Sequence, residues 1–294
     1  MDDAHPVPVT DCPDTYLVDN RLFGMENALA TYVLDADRPA ILDAGTVSGA
    51  ERILDALAVL DIDPGDVGSI VVSHVHLDHA AGAGRLLAAC ENAEVLVHER
   101  GYPYLTDPER LDRLVESVEA AIGMDAPYGD PDRVPEARCR ALSDGDRLDF
   151  GNRVLDVYDA PGHAPHHFVG FDPDSGMLFG ADAVGAFDPE GEGVVPTTPP
   201  PSFDLEANLA TVERLRELGP ERTLYSHFGP GKRGEAVAEL DAYAEMLPAW
   251  VDAVRDARER VGDDLNAMLD VLRPEWDSPT VRRDVVGVLR YLDG

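Results

Sequence analysis

"SHVHLDHAAGAG", residues 73–84, puts three histidines and an aspartate into six positions directly after the apolar run Ile70–Val72. A short run of β-branched apolar residues reads as a strand. Where the chain stays extended for a few residues beyond such a strand, alternate side chains project to the same side. His74 and His76 can therefore grip one ion together, while Asp78 and His79 stand at the mouth of a following helix and reach a second position nearby. Buried histidines that are only hydrogen-bonded usually come singly, so four ligand-type side chains this close read as a metal site.

A loop this short cannot close a coordination sphere, and partners stand at the ends of other strands. "DAPGHAPHH" (159–167) brings His163 after one apolar run, "MLFGADAV" (177–184) brings Asp182 after a second, and "TLYSHFGP" (223–230) brings His227 after a third. Strand ends beside small residues are where layered α/β folds expose their sites.

Around these residues the chain alternates strand and helix patterns, which argues for α/β layers. Strands are expected in 15–19, 28–37, 39–45, 69–74 and 93–99; helices are expected over 48–61, with Ser48 as N-cap, and over 80–90. A further helical pattern, 107–122, precedes a Pro/Gly/Asp-rich loop, and the stretch from "RALSDGDRLDF" to "MLFGADAV" has the look of an antiparallel meander. A helix at 204–218 and the short strand "RTLYSH" follow. Beyond Gly231 the pattern is helical over 235–262, 264–272 and 279–292, with Pro248 expected to kink the first and Ser278-Pro279 to open the last. The organisation expected is a layered domain over 1–230 and a helical extension over 231–294. Apolar stripes such as Val254, Leu265, Met268 and Leu272 are expected to pack on the domain or across a homodimer interface.

Composition sets the background. Fifty-seven acidic residues against 24 basic ones give a formal charge of −33, and Lys232 is the single lysine. Such a surface repels itself in dilute salt, whereas at about 1 M salt the Debye length falls to about 3 Å and the repulsion is screened. Adaptation to a salty cytoplasm is the expectation. "MDDAHPVPVT" lacks the basic and apolar regions of a secretory signal, and no run of about 18 apolar residues occurs, so a cytoplasmic protein without membrane association is expected. Cys12, Cys90 and Cys139 lack metal or redox spacing and are expected to be reduced thiols.

The set His74-x-His76-x-Asp78-His79, then His163, Asp182 and His227, with "ILDAG" (41–45) upstream, resembles the metallo-β-lactamase superfamily over about residues 12–230. The resemblance implies a four-layer αββα sandwich with two divalent metal ions in the cleft at its edge. Position by position, His74, His76 and His163 would hold the first metal, Asp78, His79 and His227 the second, and Asp182 would bridge them. Asp43 and His167 match residues that support ligands from behind. His166 stands where the pattern carries glycine and is a candidate substrate contact. The implied chemistry is hydrolysis by a metal-bridging hydroxide, with Asp78 and Asp182 as catalytic residues. An all-nitrogen and oxygen ligand set makes zinc the default, with iron or manganese as alternatives.

Departures narrow the branch. A bridging aspartate without a nearby cysteine argues against antibiotic hydrolysis. The acyl-homoserine lactonase branch carries a tyrosine where Gly185 stands, so Tyr102, Tyr104 or Tyr225 would have to substitute. Flavodiiron oxidoreductases have glutamate in place of His76, and no basic aromatic patch suits nucleic acid. The glyoxalase II branch fits the ligands and has a C-terminal helical region, which makes Lys232 and Arg233 candidates for a substrate carboxylate. The best overall resemblance is to an uncharacterised archaeal metallo-hydrolase branch. The leading expectation is a hydrolase of a small ester, thioester or lactone. A mononuclear iron persulfide dioxygenase and a non-enzymatic metal-binding scaffold are the alternatives.

Overall fold

The computed structural model describes residues 5–188, 193–227, 229–278 and 280–294. The first sheet is built in chain order from β1 (Val7–Pro8), β2 (Thr15–Asp19), β3 (Ala30–Leu34), β4 (Ala40–Leu42), β5 (Ser69–Val72), β6 (Glu94–His98) and β7 (Cys139–Leu142). Its first strands are antiparallel, and β4 to β7 pair in parallel. The second sheet takes up β8 (Arg147–Asp149), β9 (Val154–Asp159), β10 (Phe168–Asp172) and β11 (Met177–Phe179) as an antiparallel meander. A small hairpin joins β12 (Ala186–Asp188) to β13 (Gly193–Val195), and β14 (Arg222–Leu224) closes the second sheet by pairing in parallel with β11. The strand in "RALSDG" thus belongs to the first sheet rather than to the meander.

Strand alternation explains the layering. Ile41, Ile70, Val72, Val95 and Val97 pack with Ile53 and Leu57 of α1 (Val47–Val59) and Leu86 of α3 (Ala83–Ala89). Their alternates Leu42, Val71 and Leu96 turn the other way and meet Leu155, Phe168 and Phe179 of the second sheet. The far face of that sheet, Val169, Phe171 and Leu178, packs under helices. Three apolar layers between four layers of structure make the αββα sandwich. Strands buried on both faces need apolar residues throughout, which is why β5 reads as an unbroken run.

Local details depart from the sequence reading. Helix α1 is capped by Thr46, whose Oγ1 accepts from Gly49 N–H at 2.9 Å, so Ser48 lies inside the helix. The pattern over 80–90 divides into α2 (Leu77–Ala80) and α3, because α2 opens directly after His76. Beyond them come α4 (Tyr102–Thr106) and α5 (Pro108–Ile122), the latter capped by Asp107.

Over the second sheet lie α6 (Leu205–Arg216), α7 (Ala236–Val261), α8 (Leu265–Trp276) and α9 (Val281–Asp293). Helix α7 runs through Pro248 as one element. Pro279 lies outside the described residues. Val254, Met268 and Leu272 are buried in the same cluster as Val169 and Leu178, with Leu265 against it, so the C-terminal helices pack on the sandwich itself. Among the described residues no helix is long and apolar enough to cross a membrane, and the three cysteines are free thiols.

Candidate metal centre

The residues of interest lie at the carboxyl ends of strands: Asp43 after β4, His74 to His79 after β5, His163 after β9, Asp182 after β11 and His227 after β14. They converge. His74 Nε2 and His163 Nε2 stand 2.9 and 3.0 Å from His76 Nδ1, so three imidazole nitrogens face one point. Asp78 Oδ2 lies 3.8 Å from His79 Nε2 and 3.6 Å from His227 Nε2, defining a second point. Asp182 Oδ2 is 3.5 Å from His79 Nε2, 3.6 Å from His163 Nε2 and 3.4 Å from His227 Nε2, and so sits between the two groups. The trios His74–His76–His163, His74–His79–Asp182 and Asp78–His79–His227 can each hold a metal ion.

Four of the five rings are oriented from behind. His79 Nδ1–H donates to Asp43 Oδ2 at 2.8 Å, and Asp43 also accepts from Ser73 N–H and Ser226 Oγ–H. His163 Nδ1–H donates to Thr197 O at 3.0 Å, and His227 Nδ1–H to Ala28 O at 2.8 Å. Ser73 Oγ is 3.0 Å from His74 Nδ1. These partners hold the Nε2 lone pairs of His79, His163 and His227 towards the cleft, as metal-ligating histidines require. Sequence reasoning found Asp43 but not Ser73, Ser226, Thr197 or the Ala28 carbonyl. A backbone carbonyl leaves no residue-type signal. The backbone is strained at Asp43 and at Ala181, beside Asp182, with φ of 61° and 45°.

His167 plays a different part from a hydrogen-bonding support. Its ring stacks on His74 with centroids 4.6 Å apart, and neither ring nitrogen has a hydrogen-bond partner among the described residues, so it fixes His74 by packing. His166 is half-buried at the cleft edge, 5.9 Å from His76 and 6.0 Å from Tyr104 between ring centroids. The structure does not bring Arg233 to this cluster: it pairs with Asp11 at 2.9 Å on the surface. The backbone N–H of Lys232 donates to Glu239 Oε1.

Of the three tyrosines proposed to replace the one missing at 185, Tyr225 is buried with its hydroxyl on Glu239, and Tyr102 and Tyr104 pack against the first helical layer, Tyr104 with its ring centroid 6.0 Å from that of His166. A side chain at Gly185 would force its surroundings to move, because its Cβ would stand 2.8 Å from the Tyr243 ring and from Val195 O, at a strained φ of 93°. One residue that sequence reasoning missed borders Asp78: Arg283 of α9 approaches Asp78 Oδ2 to 3.8 Å.

The charges divide the cluster. Burial holds His74 and His163 well below the usual histidine range and His76 at about 3, so this group is neutral. Burial acts the same way on His79 and His227 but is outweighed by Asp182 and Asp78, which push His227 up to about 9 and His79 well upward. Conversely His79 and His227 overcome the burial of Asp78 and Asp182 and keep both carboxyls below their ordinary range.

The donors fit divalent cations. The buried His79 Nε2 and both Asp182 oxygens lack hydrogen-bond partners among the described residues, and imidazole with carboxylate suits zinc, iron or manganese. Such orphaned buried acceptors are costly unless a ligand satisfies them.

Fold, converging histidines and the aspartate set between the two groups define a metal-binding centre of the metallo-hydrolase kind. Residues 24–227 match the Metallo-beta-lactamase superfamily, and the chain belongs to it. It is 25% identical over 258 residues to the probable metallo-hydrolase YqjP of Bacillus subtilis (strain 168), spanning 81% of this chain and 75% of that one. It is 34% identical over 179 residues to the N-acyl homoserine lactonase AttM of Azorhizobium caulinodans, or 59% and 61% of the two chains. The crystal structure of ST1585, an archaeal metallo-beta-lactamase superfamily protein from Sulfolobus tokodaii, shares the fold with a TM-score of 0.66 at 23% identity, covering 90% of this chain and 93% of that one.

Proposed function

We propose that the protein is a hydrolase that holds two divalent cations and cleaves a small ester, thioester or lactone. The observation that carries this reading is Asp182 Oδ2, which lies within 3.6 Å of the Nε2 atoms of His79, His163 and His227 and so belongs to both ligand groups. Bound cations supply a water of lowered pKa and positive charge against a developing oxyanion. His74, His76 and His163 would hold one ion as neutral ligands, and Asp78, His79 and His227 the other. Asp78, kept ionised by its histidine neighbours, would accept a hydrogen bond from water in the cleft and orient it. His166 and Tyr104 form the rim against which a substrate rests. Likeness to the lactonase AttM over part of the chain supports a lactone or related acyl compound. The acidic surface supports work in concentrated salt in the cytoplasm.

A panel of chromogenic esters, thioesters, lactones and phosphodiesters, assayed in high salt with defined zinc, iron or manganese, tests the proposal. Metal-dependent turnover of an acyl compound, reduced at least about 100-fold in Asp182→Ala, is expected. Turnover that survives this substitution, or none with any acyl compound, would overturn it.

A further inference from the structure

We infer that Thr197 and Asn208 are the positioning residues of Asp182: acting through its backbone, they set the carboxylate between the two ligand groups, so that both cation positions depend on them. The inference rests on the two-cation reading above.

The starting point is a ligand without support at its own side chain. The rings of His74, His79, His163 and His227 each have a partner at Nδ1 that steadies them. Asp182 has no such grip. Neither carboxylate oxygen has a hydrogen-bond partner among the described residues, and the nitrogens nearest Oδ2 belong to other ligands. With nothing holding its oxygens, the place of this short side chain follows from the place of its backbone. That backbone is under strain: Ala181, directly before it, has a φ of 45°, which a residue with a Cβ keeps only where its surroundings impose it. The local turn bond from Gly185 N–H to Asp182 O is long, at 3.4 Å.

Two side chains impose the turn. Thr197 Oγ1–H donates to Asp182 O at 2.8 Å, and Asn208 Nδ2–H donates to Ala183 O at 2.7 Å. Consecutive carbonyls are thus tied from two different segments, the chain after β13 and helix α6. Both donors are buried. Tyr243 of α7 closes the network from behind, its hydroxyl 3.2 Å from Thr197 Oγ1 and 3.4 Å from Asn208 Oδ1. Asn208 is itself seated by close backbone packing, since a Cβ on Gly162 would stand 2.3 Å from Asn208 Cα. Removing either donor leaves a buried carbonyl unpaired and lets the strained turn relax. Asp182 then moves relative to both ligand groups at once, whereas a support such as Asp43, behind His79, bears on one.

Stepwise zinc titration of metal-free Thr197→Val, Thr197→Ser and Asn208→Leu against a chromophoric chelator reads both affinities without turnover. Valine keeps the shape of threonine and removes the hydroxyl, and serine restores it. Thr197→Val and Asn208→Leu should each weaken both positions by about tenfold, the lower end of the loss typical behind a metal ligand, while Thr197→Ser stays within about threefold of the wild type. A purely structural role would lower the thermal midpoint of the metal-free variants and leave the zinc affinities of the folded protein unmoved, and that result overturns the inference. So does weakening confined to the position built on His74, His76 and His163, because the fault would then lie with His163, which Thr197 O supports. Should Asn208→Leu fail to fold, the valine and serine variants decide alone. Failure of the underlying reading looks different: a wild type that takes up one zinc overturns the two-cation reading, and the inference is then sustained by a tenfold loss of that ion in Thr197→Val and overturned by none.

Discussion

Asp43→Asn should loosen one metal position and spare the other. The Asp43 carboxylate is buried, accepts from Ser73 N–H at 2.9 Å through Oδ1, and accepts from His79 Nδ1–H and Ser226 Oγ–H at 2.8 Å each through Oδ2. An amide in its place can satisfy one side only. If its oxygen keeps Ser73, its NH2 faces two donors, and His79 loses the acceptor that holds its proton on Nδ1 and its lone pair on Nε2. A hydrogen bond to a charged group contributes about 1.5–3 kcal/mol. At 1.4 kcal/mol per decade, this matches the loss of about 10–100-fold in metal affinity typical when a supporting residue behind a ligand is removed. Asparagine also tolerates the left-handed backbone at this position, where φ is 61°, so strain adds little. Stepwise titration of metal-free protein against a chromophoric chelator reads the two affinities separately. The position built on Asp78, His79 and His227 should weaken by that factor, while that built on His74, His76 and His163 changes less than about threefold. Equal weakening of both, or of neither, would refute the role given to Asp43.

Two further outcomes follow from packing and charge. Gly287→Ala should destabilise the protein by about 2 kcal/mol or more, because the added Cβ meets the backbone oxygen of Thr198 at 1.8 Å and α9 must move, as a lowered thermal midpoint would show. Asp172→Asn should cost about 3 kcal/mol near neutrality, since it removes the partner of Arg153, which at 2.7 Å ties β10 to the start of β2 through Thr15. Although burial raises the Asp172 carboxyl, Arg153 and Ser175 hold it below its ordinary range. Its contribution is therefore present above about pH 4, the unfolded value, and is lost as pH falls through the lower folded value. Denaturation curves of wild type and variant should converge on acidification, and a gap that widens there would contradict the assignment.

Much of this was legible in the sequence for a physical reason. Strands buried on both faces leave unbroken apolar runs, and a loop that must present side chains to two points within six positions has little freedom in residue type. His74 to His79, His163, Asp182 and His227 are visible because each follows such a run. Arg283 was not legible: "VRRDVV" has the pattern of any amphipathic helix start, and only tertiary packing distinguishes the inward Arg283 from the exposed Arg282. Arg233 misled in the opposite way, since a cation close in sequence to His227 turned out to pair with Asp11. Thr46 displaced Ser48 as the cap of α1 because both hydroxyls suit the role and only the backbone angle decides.

The central claim is a dinuclear hydrolytic centre. Metal analysis of the reconstituted chain, run alongside ester turnover and oxygen uptake with a thiol persulfide, tests it most directly. Two divalent ions per chain, with acyl hydrolysis that rises as the second ion binds and no oxygen uptake, are expected. One iron per chain, with oxygen consumed in the presence of the persulfide, would contradict it.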